Sequence, residues 1–463
     1  MQRIHIGSLN EGDKGKEVLI KGWVDTVREH GKLIFMDVRD ISGFVQTVVS
    51  AKESPEVFAI AKGLTKESSI AIKGIVGVRP KGTENEKIAT GKVELSIKHL
   101  EVYTLCPSLP FELDKQDIGE DLRLKYRFLD LRRKEMQKNL FARAQVLKIM
   151  REYFNEKGFH EFETPMLVKY TPGGARNYLV PSRIEAGKFW ALPESPQLFK
   201  QLLMVGGMEK YYQIARCLRD EDLRKDRQPE FTQLDVEMSF VDQNEILELM
   251  EGILKKIWKE VLNVEIKTPF PRMTYQEAME KHGCDRPDMR KDKSNPHEYA
   301  FLWVVDFPLF QYSNESKKYV ASHHPFTSPN MEDFKKNPQT ARSWAYDVVL
   351  NGVEIGGGSI RIHDQHIQQK VFEILEISKE EQQTRFKFLL DALKFGAPPH
   401  GGIALGIDRL MQLMLNTESI RECLAFPKNS DGRDVMLEAP SDVTNEQLKD
   451  LHIKIEFPKE KKK

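Results

Sequence analysis

Apolar and polar positions alternate through the first hundred residues. Val18 to Val24, Leu33 to Val38, Phe44 to Val49, Ile70 to Val78 and Val93 to Tyr103 each read as a short strand bounded by turn residues. Between the third and fourth, Pro55-Glu-Val-Phe-Ala-Ile-Ala-Lys62 has the apolar spacing of a short helix. Five strands with a helix at that point predict an OB-fold barrel over residues 1–105, a fold that takes single-stranded nucleic acid by aromatic stacking. In Leu33-Ile-Phe-Met-Asp-Val-Arg39, alternation puts Leu33, Phe35 and Asp37 on one side. Phe35 is therefore either a core residue or a stacking platform.

The pattern then changes. Residues 106–121 carry Pro107, Pro110 and several acids and read as a hinge. From near Leu122 a long helical run is predicted, with Val146, Ile149, Met150 and Tyr153 at helical spacing and an end at Gly158. Phe159-His-Glu-Phe-Glu-Thr-Pro165 reads as a strand closed by proline. Asn244 to Leu262 reads as an amphipathic helix, and residues 289–299 as a polar, proline-containing surface loop. These elements belong to a larger domain over 122–440. Residues 441–463 form a C-terminal extension ending in the charged tail Lys459-Glu-Lys-Lys-Lys463.

The 463 residues carry 70 Lys plus Arg against 70 Asp plus Glu, so any contact with nucleic acid has to come from local patches and not from the whole-molecule field. Four scattered cysteines, Cys106, Cys217, Cys284 and Cys423, argue against a disulfide framework or a zinc ribbon and for a reducing compartment. The first ten residues have neither the apolar core of a secretory signal nor the arginine-rich pattern of a transit peptide, and no apolar run is long enough to span a bilayer. The expected setting is cytoplasmic, with a mature mitochondrial-matrix form as the alternative.

Charged chemistry concentrates in the segment Cys217 to Glu237, where apolar strand-like flanks enclose a loop crowded with fixed charges. Arg219 can neutralise a phosphate, Glu221 can accept from an exocyclic amine, Phe231 offers a face for a base, and Arg224 and Arg227 can meet a second polyanion. Such a run could equally be a solvated turn. A second segment, Gly401-Gly-Ile-Ala-Leu-Gly-Ile-Asp-Arg-Leu410, delivers Arg409 from an apolar strand and supplies a partner for the same nucleotide.

Together the two segments resemble motifs 2 and 3 of the class II aminoacyl-tRNA synthetases. Ser195-Pro-Gln-Leu-Phe-Lys-Gln201, Arg227 to Gln233, His323-His-Pro-Phe-Thr327 and Val353 to His363 resemble the aspartyl-tRNA synthetase family of the bacterial and mitochondrial type. The resemblance covers nearly the whole chain. It implies an α+β protein, with an anticodon-binding barrel followed by a catalytic domain built on an antiparallel sheet flanked by helices. It also implies a homodimer through the helix and strand ending at Pro165, the substrates ATP, L-aspartate and tRNA(Asp), and Mg2+ as cofactor. No membrane partner is expected.

Residue by residue, the resemblance assigns Arg219 and Arg409 to catalysis. With Asp220, Glu221, Gln228, Phe231, Glu354, Gly406, Ile407 and Asp408 they form the ATP set. Ser195, Gln197, Leu198, Phe199, Lys200, Arg219, Asp235, His323 and Arg361 form the aspartate set, in which Lys200 and Arg361 read the side-chain carboxylate and Asp235 orients Lys200. His324 is held in reserve, because two neighbours on a strand face opposite ways. Asp347 and Glu354 match the magnesium pair. Arg28, His30, Phe35 and Gln46 on the barrel, with Arg224 and Arg227, match the tRNA contacts, and His30 resembles the relaxed form that also accepts tRNA(Asn).

Activation of this kind needs no general base, because the attacking carboxylate is already ionised; positioning and charge stabilisation suffice. Two departures stand out. Gly173 occupies a position where most bacterial relatives have a glutamate that contacts the substrate ammonium, and a sizeable insertion is absent at residues 289–299. Three other readings stay open: an asparaginyl-tRNA synthetase, a catalytically silent RNA-binding protein on the same scaffold, and a tRNA-independent amide-forming enzyme.

Overall fold

The computed structural model describes residues 1–170 and 175–456 and divides into two compact units, Met1–Lys115 and Gln116–Lys463. In the first, β1 (Glu17–His30), β2 (Leu33–Asp40), β3 (Gly43–Ser50), β4 (Ser69–Val78) and β5 (Val93–Thr104) close a barrel in the order β1-β2-β3-β5-β4. Helix α1 (Pro55–Lys62) lies between β3 and β4. All five predicted strands are present. The first runs on to His30, with a register shift between Val24 and Thr26 that bends it into both neighbours. Ile34, Met36 and Val38 point into the barrel core, leaving Leu33, Phe35 and Asp37 on the outer face.

The second unit is an eight-stranded sheet carrying long helices on one face. In chain order its elements are α2 (Lys134–Glu156), β6 (His160–Glu161), α3 (Gln197–Val205), β7 (Lys210–Leu218), β8 (Glu230–Ser239), α4 (Gln243–Leu262), β9 (Arg272–Thr274), β10 (Phe301–Val305), β11 (Ala345–Leu350), β12 (Val353–Ile360), β13 (His400–Gly406) and α5 (Ile407–Leu415). The strand order is β9-β10-β11-β12-β13-β8-β7-β6. Only the two edge pairs, β9/β10 and β6/β7, are parallel. An α+β architecture with a largely antiparallel sheet follows.

Val146, Ile149, Met150 and Tyr153 of α2 pack with the helically spaced Ile246, Met250, Ile253 and Ile257 of α4 and with Leu234, Val236, Ile403 and Leu405 of the sheet in one core. A side-chain cap at Asp242, reciprocated by Glu245, starts α4 one residue before the predicted position. The long run from Leu122 is in fact broken. Glu120–Lys125 and Arg127–Asp130 are separate turns, because Arg127 gives its guanidinium to the carbonyls of Arg421, Leu424 and Ala425, and Asp130 collects Arg123 and Arg133. The strand expected from Phe159 to Pro165 shrinks to His160–Glu161. Residues 289–299 contain neither helix nor strand, as expected for a surface loop. Cys217, Cys284 and Cys423 are free thiols. No helix among the described residues is long and apolar enough to cross a membrane.

Candidate active site

β8 divides its side chains between two environments. Leu234, Val236 and Met238 enter the helical core, while Phe231, Gln233 and Asp235 face a cavity of about 850 Å3 on the other side of the sheet. Ser195, Gln197, Leu198 and Phe199 reach the cavity around the start of α3. Arg219, Glu221, Arg227 and Gln228 come from the β7–β8 connection, Glu354 from β12, and Gly406, Asp408 and Arg409 from the β13–α5 junction. The two charged segments, far apart in the chain, thus line one cavity.

Arg219 lies over the Phe231 ring, with Cζ 5.0 Å from the centroid, a cation–π contact that fixes its guanidinium on one face of the ring. Arg409 is held by the Glu354 carbonyl, to which Nη1 donates at 3.2 Å, and by Asp226, 3.4 Å from Nη2. Two delocalised cations on one wall, each with N–H groups to spare, suit a polyphosphate.

Several expected contacts fall elsewhere. The Gln228 side chain is spent on the backbone of Lys428, donating to its carbonyl at 3.1 Å and accepting from its N–H at 2.8 Å. Asp408 accepts from Thr232 N–H at 3.2 Å and pairs with Arg143 at 2.6 Å, so its carboxylate anchors α5. Ile407 is wholly buried in the core, and Asp220 is not on the wall. Arg227 pairs with Glu221 at 3.1 Å and lines the cavity, whereas Arg224 is exposed outside it. His323 and His324 occupy a bend, not a strand, and both line the cavity.

Behind the cavity wall at Asp235 lies a closed array of charge. Lys200 Nζ is 3.0 Å from Asp235 and 3.5 Å from Glu237, and Glu237 takes Arg361 Nε at 2.9 Å and Nη2 at 3.1 Å. All four side chains are at most 1 % exposed. Asp235 contacts Lys200 as expected of a residue that orients it, but neither Lys200 nor Arg361, the expected readers of the side-chain carboxylate, is on the cavity wall, and both have internal counter-ions. Unpaired cations at this depth would be too costly. Burial would raise Glu237, but Arg361 and Lys200 outweigh it and hold its carboxyl below the ordinary range; for Asp235 burial prevails over Lys200 and the shift is upward. Arg361 Nη1 also lies 2.7 Å from His324 Nε2, while Nδ1 of the same ring accepts from the backbone N–H of Phe326 at 3.2 Å and lies 3.4 Å from Thr327 Oγ1. Burial and Arg361 push both histidines down, His323 to about 4, so they are neutral at physiological pH.

A second acidic locus fits a divalent cation. Asp347 Oδ1 is buried and makes no hydrogen bond; His323 Nε2 lies 3.4 Å away and is uncharged. Burial, Glu354 and Asp285 together push Asp347 well above the carboxylate range. A methyl group on Gly357 would overlap that same oxygen, so the glycine keeps space open beside it. Among the described residues no three His, Cys, Asp or Glu side chains gather as a closed cage. Two carboxylates with the rest left to water and phosphate oxygens is the manner of Mg2+.

The match to known proteins is extensive. A family model described as tRNA synthetases class II (D, K and N) matches residues 119–430, and one for an OB-fold nucleic acid binding domain matches 18–105. An aspartate–tRNA(Asp/Asn) ligase of Hydrogenobaculum sp. is 42 % identical over an alignment covering 97 % of this chain and 99 % of that protein. One of Caldanaerobacter subterraneus is 41 % identical, with 99 % of each covered. The chain belongs to the aspartyl-tRNA synthetase family of class II. The first alignment runs to 588 positions against the 463 residues here, so that relative carries residues this chain lacks. Among solved structures, asparaginyl-tRNA synthetase from Pyrococcus horikoshii with asparaginyl-adenylate has a TM-score of 0.75 at 24 % identity, covering 92 % of this chain and 98 % of that one, which speaks for the fold alone.

In this family member the outer barrel face brings together the four residues singled out there. Phe35 sits opposite Arg28 in the β1–β2 ladder and edge-on to His30, with ring centroids 6.0 Å apart. Arg28 pairs with Asp37 at 3.0 Å, and Gln46 lies across from Asp37 on β3. Phe35 is half-buried, not core. Gly173 and the tail from Lys459 lie outside the described residues. The sequence reading passed over Glu237, Asp226 and Glu194. Glu237 was within reach, since it is two residues beyond Asp235 on a strand and must share its face; Asp226 and Glu194 sit in loops without periodicity.

Proposed function

We propose that the protein is an aspartate–tRNA ligase, with tRNA(Asp) and tRNA(Asn) as acceptors. The observation that carries the reading is one cavity whose wall carries the Arg219–Phe231 stack, Arg409 and Asp235, with Lys200, Glu237 and Arg361 buried behind Asp235. An aspartate carboxylate, ionised at neutral pH, attacks the α-phosphorus of ATP; an O–P bond forms, the bond to the β-phosphate oxygen breaks, and pyrophosphate leaves. Arg219 and Arg409 offset the charge on the phosphates, and no side chain has to remove a proton. Asp347 and Glu354 would hold Mg2+, which supplies further positive charge to the phosphates when bound. A terminal ribose hydroxyl of the tRNA then attacks the mixed anhydride and releases AMP.

The choice of aspartate is supported by relatives of that printed activity at about 40 % identity over their whole length. One observation favours asparagine as a second reading: the buried array, two cations and two carboxylates, carries no net charge. ATP–pyrophosphate exchange with aspartate, asparagine and lysine decides between them, with exchange expected for aspartate alone. Charging of purified tRNA(Asp) and tRNA(Asn) then tests the acceptors, and failure with tRNA(Asn) would remove the second acceptor from the proposal. The α2–β6 region as the interface of a homodimer, and residence in the cytoplasm or the mitochondrial matrix, complete the reading; sedimentation of the intact chain tests the first.

A further inference from the structure

Among the described residues six carboxylates line the cavity, and four are already matched to a cation. Glu221 pairs with Arg227 at 3.1 Å, Asp226 with Arg409 at 3.4 Å, Asp235 with Lys200 at 3.0 Å and Asp408 with Arg143 at 2.6 Å. Glu354 belongs to the cation locus with Asp347. Glu194 remains. Among the described residues no Lys, Arg or His lies within ion-pair distance of it, and its one hydrogen bond comes from the backbone N–H of Ala175 at 3.2 Å.

Its position is specific. Glu194 immediately precedes Ser195 and stands three residues before Gln197, both on the same wall, and it feels the positive charge of Arg219 without touching it. Burial nevertheless outweighs Arg219 and pushes its carboxyl upward, as expected of a carboxylate that still awaits a partner. An amino acid brings one group that no other free wall anion can take, its α-ammonium, while its α-carboxylate needs a cation such as Arg219.

We propose that Glu194 binds the α-ammonium of the amino-acid substrate, with Ser195 and Gln197 beside it and Arg219 taking the α-carboxylate. The inference rests on the amino-acid-activating function proposed above. It makes Glu194 a determinant of α-amino acids as a class, distinct from the side-chain selection that lies deeper in the site.

Glu194→Gln keeps the shape of the side chain and the acceptor for Ala175 N–H while removing the charge. In pyrophosphate exchange with the full chain and Mg2+, the variant should raise KM for aspartate about tenfold or more, the size of one charge-assisted hydrogen bond, with KM for ATP changed less than about twofold. Succinate, which is aspartate without its amino group, should compete with aspartate in both proteins with inhibition constants within about twofold of each other. Glu194→Asp, which keeps the charge, should recover part of the aspartate KM. An unchanged aspartate KM in Glu194→Gln, or a loss of succinate binding equal to the loss of aspartate binding, overturns the assignment. A wild-type protein without aspartate-dependent exchange would instead overturn the function on which it rests.

Discussion

Glu237 is the residue on which the buried array turns, since it alone contacts both cations. Replacing it with glutamine leaves Lys200 with Asp235 alone and the buried Arg361 with no carboxylate in contact. Loss of one partner of a buried pair typically costs about 3–5 kcal/mol. Urea unfolding of Glu237→Gln should therefore show a destabilisation of that order. The pH dependence has a defined sign. A glutamate held below its unfolded value stabilises the fold above that value, and the contribution disappears as pH falls through the folded one. The wild type should lose its advantage over Glu237→Gln on acidification below the ordinary glutamate range, and an advantage that persisted there would contradict the pairing. At this scale the sequence was legible in part. Arg219, Phe231 and Arg409 announce themselves as charges and a ring beside strands, and they do line the cavity. Gln228 and Asp408 stand in the same motifs but turn to Lys428 and to Arg143, and no pattern of residue types discloses which way a side chain turns.

Among elements, the tight contact of β8 with β13 sets the floor of the site. Gly402 lies against the Val236 carbonyl and the Glu237 carboxylate, where a methyl group would overlap both. The strands come this close because one of them lacks a Cβ at the crossing. Gly402→Ala should push Glu237 away from Arg361, lower the melting temperature and raise KM for aspartate more than KM for ATP. Equal effects on the two substrates would show that the floor serves the cavity as a whole. Strand alternation was readable in β2 and β8 because each buries one face only, so period two survives in the residues. The run after Leu122 was misread because helical spacing continues through it, whereas its breaks are imposed by guanidinium groups seeking carbonyls some three hundred residues away.

For the whole molecule, two compact units carry two different chemistries, and they should be separable by assay. Phe35→Ala removes the ring from the outer barrel face and leaves the cavity residues untouched. Pyrophosphate exchange should stay within about twofold of wild type, while the efficiency of tRNA charging should fall about tenfold or more, as for loss of one base-stacking platform. A parallel fall in exchange would mean that Phe35 supports the fold and not the RNA. Both units were legible from the sequence because each has its own periodicity, and the division between them falls in a stretch of prolines and acids.

The polar stretch at residues 289–299 is pinned shut by one side chain. Glu298 accepts from the N–H of Lys291 at 2.8 Å and of Asp292 at 2.9 Å, so the two ends of the stretch lie side by side. Adjacent ends make a junction that tolerates grafting, because a folded module whose own termini are close can enter without pulling on the strands it interrupts. A small autonomous domain spliced between Asn295 and Pro296 should leave amino-acid activation intact. The same geometry makes the stretch a seam: Glu298 closes it, and whatever enters between its ends leaves the register of the sheet unchanged.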